Sequence, residues 1–198
     1  MITDRELARP RSVQAVAAEA VRAGARAVQL RNKGDGARQL LETGKELRDI
    51  TSAAGALLFV NDRLDVALAL GADGVHLGAD DLPVASARRV VPDGFLIGCS
   101  ADDAGVAADL VRQGADYVGC GTVYATTTKP DAGSVIGLDG LDRVARAVTV
   151  PVVAIGGITA ARAGEVAGTA ASGVAVVGAV MSAPDVGEAV RALLAPWR

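Results

Sequence analysis

A polar stretch rich in hydroxyl groups, with one lysine at its end, is the part of this sequence best suited to chemistry. It reads Gly121-Thr-Val-Tyr-Ala-Thr-Thr-Thr-Lys129 and follows a short apolar run. The chain has only three lysines against seventeen arginines, so Lys129 indicates a need for a compact ammonium group. With the hydroxyls of Thr126, Thr127 and Thr128 it predicts a loop that binds an anion. An ordinary polar surface loop is the alternative.

A second group of cations leaves an apolar run near residue 30. Gln29, Arg31 and Lys33 alternate with period two, so on a strand they project to one side. An arginine that binds two oxygens and a lysine that acts as a point charge suit a polyphosphate. The alternative is a strand end that is solvated by charge.

Carboxylates and an amide follow two later apolar runs. Asn61 and Asp62 come after Leu57–Val60, and Asp81 follows the run that contains His76. Two carboxylates opposite a cationic wall predict a Mg²⁺ ion that bridges a diphosphate, because Mg²⁺ takes few ligands from protein and the rest from phosphate and water. Helix capping is the alternative for Asp62, and for Asp80 or Asp81.

Glycine-rich turns end the last two apolar runs, at Gly156-Gly157 and at Gly178. Their backbone N–H groups predict a phosphate cradle. His76, the only histidine, is expected to be a hydrogen-bonded interior residue rather than a catalytic one. No Ser-His-Asp or Cys-His arrangement is evident in the sequence, which argues against hydrolytic nucleophile chemistry.

The elements that must position these residues alternate along the chain. Short apolar runs predict strands at Ala27–Leu30, Leu57–Val60, Gly74–Leu77, Leu96–Cys99, Tyr117–Gly119, Val152–Ile155 and Val174–Val177, with a truncated one at Met1–Thr3. Amphipathic segments predict helices at Ser12–Ala23, Ala37–Ala53, Pro83–Val90, Asp102–Gln113, Gly140–Ala147, Ala160–Gly168 and Asp185–Ala195.

Polar residues of interest all follow strands, whereas the helix-to-strand turns are short, glycine-containing and expected to carry little chemistry. Eight such units in 198 residues, without Gly-x-Gly-x-x-Gly after the first strand, predict an α/β fold. We expect one (β/α)₈ TIM-barrel domain over residues 1–198, with a shortened first strand. A doubly wound open sheet gives similar local patterns.

Composition limits the classes of partner and the cellular compartment that we expect for the protein. Net charge is −3, which argues against nucleic acid as a partner, and no apolar run reaches the roughly 18 residues of a membrane span. Cys99 and Cys120 lack a metal-type partner cluster and are expected to be buried free thiols of a reducing compartment. We therefore expect a cytoplasmic protein that acts on small molecules; the sequence leaves its oligomeric state open.

Taken in order, these motifs make the whole chain resemble the thiamine-phosphate synthase family, which also holds the thiazole tautomerases. The marks are Val28–Lys33, Val60–Asp65, Gly74–Gly78 with Asp81, Thr126–Lys129 and Ala154–Ile158. The resemblance implies a TIM barrel and a Mg²⁺-dependent transferase. It would join a hydroxymethylpyrimidine diphosphate to a thiazole phosphate and release diphosphate by a dissociative route.

The resemblance also assigns roles to individual positions. It implies that Gln29, Arg31, Lys33, Asn61, Ser100 and Lys129 hold the pyrimidine diphosphate, and that Arg31, Lys33, Ser100 and Lys129 serve catalysis. It implies Asp62 and Asp81 for Mg²⁺, and Thr126, Thr127, Thr128, Gly157, Val177 and Gly178 for the thiazole phosphate.

Two positions depart from the family pattern: Ala79 stands where glutamine is usual, and Gly178 where serine is usual. A thiazole tautomerase is one alternative, but the loop Gly98–Asp103 lacks the histidine on which that isomerase relies. A non-catalytic sensor of phosphate ligands on the same fold is the other. Retention of two carboxylates that face cations argues against it.

Overall fold

The structure is a computed structural model that describes residues 1–32, 34–126, 128 and 133–197. The chain divides into two compact units. Unit 1 contains Met1–Val75 and Val177–Ala195, and unit 2 contains His76–Val176 with the C-terminal residues that follow unit 1. The expectation of a single domain stays a prediction.

Within the described residues, seven strands form a parallel sheet whose order follows the chain. They are β1 Ala27–Leu30, β2 Leu57–Asn61, β3 Gly74–Leu77, β4 Leu96–Ser100, β5 Tyr117–Cys120, β6 Val152–Ile155 and β7 Gly173–Ala175. The α/β class with a parallel sheet is therefore confirmed, whereas the eight-stranded closure of the barrel stays a prediction.

Helices precede or follow every strand. They are α1 Arg5–Ala8, α2 Val13–Arg22, α3 Ala37–Ala53, α4 Leu64–Leu70, α5 Val84–Arg88, α6 Ala104–Arg112, α7 Gly137–Ala147, α8 Ala160–Ala167, α9 Gly178–Met181 and α10 Val186–Leu194, followed by a 3₁₀ turn at Ala195–Trp197. No helix in the described ranges is long and apolar enough to cross a membrane.

In the part of the chain that the structure describes, side-chain caps begin four of these helices. Asp4, Ser12, Asp103 and Asp185 each accept hydrogen bonds from N–H groups of the first helical turn. These are the residue types that satisfy the orphan donors of a helix start. The caps fix where each helix begins and so where each preceding loop ends.

The truncated first strand is reduced to a bridge. Ile2 forms an isolated parallel bridge with Gln29. The N–H of Gln29 donates to Met1 O at 2.9 Å, and the N–H of Thr3 donates to Gln29 O at 2.9 Å. Residues 1–3 thus pair with the edge of β1 without forming a full strand.

The last strand ends earlier than the apolar run predicts. We expected Val174–Val177, but β7 ends at Ala175 and Val177 is the N-cap of the short helix α9. Valine suits a buried turn as well as a strand, so the pattern does not mark this boundary. Helix α9 itself was not predicted.

In two of the helix-to-strand turns, an aspartate side chain accepts a hydrogen bond from a residue of the neighbouring strand. In unit 1, Asp73 precedes β3, and its Oδ2 accepts the N–H of Leu58 in β2 at 2.7 Å. The same oxygen accepts from Nη1 of Arg48 in α3. One carboxylate thereby ties a helix, a strand and the following turn together.

Unit 2 repeats the arrangement one strand pair later. Asp116 precedes β5, and its Oδ2 accepts the N–H of Ile97 in β4 at 2.7 Å. Arg88 of α5 pairs with the same oxygen and also donates to the carbonyls of Phe95 and Gly114. The short glycine turns therefore serve stability, as expected of the end of the strands away from the chemistry.

Candidate active site

A pocket of about 260 Å³ lies at the carboxyl ends of β1 and β2 in unit 1. Its walls are the residues that leave these two strands, together with one leucine from α3: Leu30, Arg31, Asn32, Gly34, Asp35, Leu40, Asn61, Asp62 and Arg63. Of the residues expected to bind diphosphate or metal, Arg31, Asn61 and Asp62 line it. Their convergence at adjacent strand ends follows from the parallel pairing of β1 with β2.

Alternation along β1 directs its polar side chains away from the core. Val28 and Leu30 are buried, whereas Gln29 and Arg31 are half-buried, which confirms the period of two. The backbone of Arg31 is held on both sides by the buried hydroxyl of Thr3: Arg31 N–H donates to it at 2.9 Å, and it donates to Arg31 O at 3.0 Å. The N-terminal segment thus fixes the position from which Arg31 projects.

The Arg31 guanidinium makes no hydrogen bond or ion pair with the residues that the structure describes. By contrast, Asp35 on the same wall is fully engaged, with both oxygens bound by Arg5 at 3.2 and 2.7 Å and a further bond from the amide of Asn32. A half-buried cation that forms no ion pair with the described residues is the feature of this wall that favours an anionic ligand.

Asp62 occupies a left-handed backbone conformation. Its φ is +61°, the only positive φ of a non-glycine residue in the described chain, and the N–H of Arg63 donates to Asn61 O across it at 2.7 Å. This is a γ-turn of the rarer kind, which costs backbone energy. Helix α4 takes Arg63 rather than Asp62 as its N-cap, so capping does not account for the carboxylate.

Arg63 has its own partner next to this turn. Its guanidinium binds Asp65 through two hydrogen bonds at 2.9 and 2.6 Å. These bonds lower the pKa of the Asp65 carboxyl below its usual value. The positive charge beside Asp62 is therefore already matched within the first turn of α4.

Asp81 closes the loop after β3 in unit 2. Its Oδ2 accepts the N–H of Gly78 at 2.7 Å, while in the described chain its Oδ1 has no hydrogen-bond partner. Helix α5 begins after Pro83, so neither Asp80 nor Asp81 is its N-cap. Among the described residues, no three His, Cys, Asp or Glu side chains converge as a protein-only metal cage.

Ser100, the last residue of β4, is exposed and hydrogen-bonded to the only histidine. The distance from His76 Nε2 to Ser100 Oγ is 2.9 Å, and that from His76 Nδ1 to the hydroxyl of Tyr117 is also 2.9 Å. His76 has partners at both ring nitrogens, as expected of an interior histidine. It is only half-buried, however, and contacts a residue that we expected to bind substrate.

The loop after β5 is anchored to the glycine turn after β6. Tyr124 N–H donates to Gly156 O at 3.0 Å, and Gly157, at φ +64°, packs on the carbonyls of Tyr124 and Ala125. Arg162 of α8 stacks on the Tyr124 ring at 4.5 Å and donates to Gly157 O at 2.8 Å. A side chain at position 157 would collide with this backbone, so glycine is required there.

The Tyr124 hydroxyl completes the same attachment by donating to Glu165 Oε2 at 2.8 Å. Burial and this carboxylate raise the pKa of the phenol. Thr126 is half-buried, and its hydroxyl accepts the N–H of the exposed Thr128 at 3.2 Å. Thr127 and Lys129, like Lys33, lie outside the described residues.

Val177 and Gly178 stand at the start of α9 in unit 1. Gly178 is the first helical residue, so its N–H has no carbonyl of its own helix to bind. Ala79, the other departure from the family pattern, is exposed in the loop before Asp81.

Comparison with known proteins adds to this geometry. A family model described as thiamine monophosphate synthase matches residues 1–180. The chain belongs to this family. Thiamine-phosphate synthase of Chloroflexus aurantiacus is 52% identical over 195 residues, which cover 98% of this chain and 90% of that one. The enzyme of Methanoculleus marisnigri is 49% identical over 193 residues, 98% and 92% of the two chains.

Solved structures with a similar fold include a protein whose name is that of the same family. Thiamine phosphate pyrophosphorylase from Pyrococcus furiosus superposes with a TM-score of 0.90 at 42% identity, covering 98% of this chain and 93% of that one. A 3-hexulose-6-phosphate synthase superposes at 0.70 with 18% identity over 98% of each chain, and this likeness concerns the fold alone. Membership in the thiamine monophosphate synthase family makes the chain a transferase of thiamine biosynthesis that acts on small molecules.

Several residues that shape this member of the thiamine monophosphate synthase family were missed in the sequence. Each of them forms a hydrogen bond with a residue that the sequence analysis singled out. Thr3 binds the backbone of Arg31, Tyr117 binds His76, and Arg162 binds the carbonyl of Gly157. Glycines inside two strands were the available signal for Tyr117, since a glycine in a strand marks close approach by another group.

Proposed function

We propose that this chain is a thiamine-phosphate synthase. It condenses 4-amino-5-hydroxymethyl-2-methylpyrimidine diphosphate with thiazole phosphate to give thiamine phosphate and diphosphate, with Mg²⁺. Family membership supports the reaction class. The observation that carries the choice of an anionic substrate is Arg31, half-buried in its pocket and without a partner among the described residues.

The diphosphate is bound first by Arg31, which can direct two parallel N–H groups at two phosphoryl oxygens. Asn61, on the same pocket wall, supplies an amide that donates to a third oxygen. Gln29, Lys33, Ser100 and Lys129 complete the proposed set on the strength of their sequence positions.

Asp62 and Asp81 are the proposed Mg²⁺ ligands. Both are hard oxygen donors at strand ends, and Oδ1 of Asp81 has no partner in the described chain. The γ-turn that presents Asp62 is a costly conformation of the kind that functional residues adopt. Bound Mg²⁺ would supply positive charge to the diphosphate oxygens.

The proposed reaction is dissociative. The bond between the pyrimidine methylene carbon and the diphosphate oxygen breaks, and its electron pair leaves with the diphosphate. Arg31 and the two lysines stabilise this growing negative charge. The amino group on the pyrimidine supports the resulting methylene cation, and the lone pair of the thiazole nitrogen then forms the new C–N bond.

The thiazole phosphate is held by hydroxyl and backbone N–H donors. Thr126, Thr127, Thr128, Gly157, Val177 and Gly178 form the proposed set. Arg162 and Tyr124 support it by holding the Gly157 turn against the threonine loop. Holding both substrates in line accounts for catalysis without a protein nucleophile.

Closure of the barrel and the location of the protein in the cell are also part of the proposal. We infer a complete single-domain (β/α)₈ barrel in which residues 1–3 replace the first strand; the bridge from Ile2 to Gln29 supports this. We also infer a cytoplasmic location, in keeping with the two buried free cysteines.

An endpoint assay tests the proposal. The purified chain is incubated with both substrates and Mg²⁺, the product is oxidised to fluorescent thiochrome phosphate, and the assay is repeated with EDTA. We expect product only in the presence of Mg²⁺. No product from well-folded protein would contradict the proposal, and release of an isomerised thiazole alone would favour a tautomerase.

A matched pair of variants locates the anion site. Arg31→Gln should lower kcat/KM for the pyrimidine diphosphate by roughly 100-fold, as expected when a main stabiliser of transition-state charge is lost. Arg26→Gln, at the other end of the same strand, is exposed and should remain active. Equal effects of the two substitutions would overturn the assignment of Arg31.

A further inference from the structure

A serine, a histidine and a tyrosine, all within unit 2, form a hydrogen-bonded row that joins the three successive strands β3, β4 and β5. Ser100 ends β4, His76 lies in β3 and Tyr117 begins β5. Each of the two links is 2.9 Å long, and both imidazole nitrogens take part. The row runs from a half-buried phenol to an exposed hydroxyl at the strand end where the proposed substrate binds.

Two strand glycines make room for this row. A Cβ on Gly98 would lie 2.0 Å from Cζ of Tyr117, so the phenol ring occupies the space that a side chain on β4 would fill. A Cβ on Gly119 would lie 3.0 Å from Cε1 of His76. The register sets Gly98 beside Tyr117, and Ser100 beside Gly119. A glycine therefore lies next to each end of the row and leaves the space that its side chains occupy. The backbone of β4 and β5 is thus adapted to the row.

Hydrogen-bond chemistry gives the row a direction. A neutral imidazole donates from one nitrogen and accepts at the other. A phenolic O–H is more acidic than an aliphatic hydroxyl and is the better donor, so we assign Tyr117 as the donor to Nδ1 of His76. Nε2 then carries the hydrogen and donates to Ser100 Oγ. The Ser100 hydroxyl hydrogen is left to point outward.

We propose that Tyr117 and His76 are positioning residues that hold Ser100 as a hydrogen-bond donor toward the pyrimidine diphosphate substrate. The substrate named here rests on the proposed function. The internal row does not, since it is a property of the free protein. Neither residue touches substrate in this scheme; both act through Ser100.

Nitrogen NMR of the free protein tests the row directly. His76 is the only histidine, so uniform ¹⁵N labelling of histidine gives one pair of ring resonances. We expect a protonated Nε2 and an unprotonated Nδ1. Tyr117→Phe, which keeps the ring over Gly98, should shift the Nδ1 resonance, and Ser100→Ala should shift the Nε2 resonance.

The second tyrosine of the chain is the matched control. Tyr124 lies in the same unit, but its hydroxyl binds Glu165, so Tyr124→Phe should leave both His76 nitrogens unchanged. A hydrogen on Nδ1, or ring resonances that do not respond to Tyr117→Phe and Ser100→Ala, would overturn the proposal.

A double-mutant cycle then ties the row to turnover. Tyr117→Phe should lower kcat/KM for the pyrimidine diphosphate by roughly three- to tenfold, the range of one hydrogen bond. It should have no further effect in the Ser100→Ala background, because Tyr117 acts through that hydroxyl. Independent, multiplying losses would overturn the positioning role. Absence of synthase activity in the wild type, with the NMR couplings intact, would refute the proposed function and leave the row itself supported.

Discussion

The two ends of the strands treat charge in opposite ways. At the amino ends, Asp73 and Asp116 each pair with an arginine and accept a strand N–H. At the carboxyl ends, Arg31 has no partner in the described chain, and Asp62 takes an unfavourable backbone conformation. Stabilising ion pairs are thus found at the amino ends, which allows the strained backbone of Asp62 and the half-buried cation of Arg31 to persist at the carboxyl ends. Substitutions at the two ends should separate these roles.

Removing the Asp62 carboxylate should have the largest effect on turnover. Asp62→Asn and Asp62→Gly should both abolish Mg²⁺-dependent product formation, because each loses a metal ligand. Glycine adopts a positive φ at little cost, so Asp62→Gly should retain or raise the melting temperature. Full activity in either variant, measured by the thiochrome assay, would refute the metal assignment.

Neighbouring carboxylates after β3 offer a matched comparison. Asp81→Asn should lower kcat roughly 10- to 100-fold and raise the Mg²⁺ concentration needed for half-maximal rate. Asp80→Asn removes the same charge from an exposed residue one position away and should behave as wild type. Equal losses in a Mg²⁺ titration of the two variants would point to general electrostatics instead of coordination.

At the amino ends the expected loss is one of stability. Asp73→Ala removes a charged hydrogen-bond acceptor from Leu58 N–H and from Arg48, and should lower the free energy of unfolding by about 2–3 kcal/mol. The melting temperature should fall by roughly 4–12 °C. Asp65→Ala, which removes an exposed ion pair, should cost at most about 1 kcal/mol.

The cysteines should show the smallest effect. Cys99 and Cys120 are buried, and burial raises the pKa of each thiol to about 11. The folded protein at pH 8 should therefore resist alkylation, and both thiols should react after denaturation. Above pH 9 the unfolded chain loses thiol protons that the folded chain keeps, so stability should fall between pH 9 and 11. Rapid labelling of the native protein would contradict this burial.

Much of the fold follows from local pattern. Strands β1, β3 and β6 and helix α3 have the bounds expected from apolar runs and amphipathic spacing. The boundary of β7 does not, because valine fits a strand and a buried turn equally well. The glycine-containing helix-to-strand turns were also expected, and their glycines Gly24, Gly71 and Gly114 all have positive φ.

The candidate site was predictable only at the level of residue types. Arg31, Asn61 and Asp62 could be named because they follow strands, and parallel pairing brings them to one pocket. The γ-turn at Asp62 and the contact of His76 with Tyr117, 41 positions away, depend on three-dimensional geometry that no local pattern encodes. The same holds for the repeated Asp–Arg pairs, since each requires a helix, a strand and a turn to meet.

One paired measurement tests most directly whether the two ends of the strands have separate roles. The kcat/KM and the melting temperature of Asp62→Asn and Asp73→Asn are measured and compared with those of the wild type, prepared in the same way. Both substitutions remove one negative charge and keep side-chain volume. We expect Asp62→Asn to lose turnover with an unchanged melting temperature, and Asp73→Asn to lose thermal stability with unchanged kcat/KM below its transition. The reverse pattern, or parallel losses in both variants, would contradict the division between a structural and a chemical end of the strands.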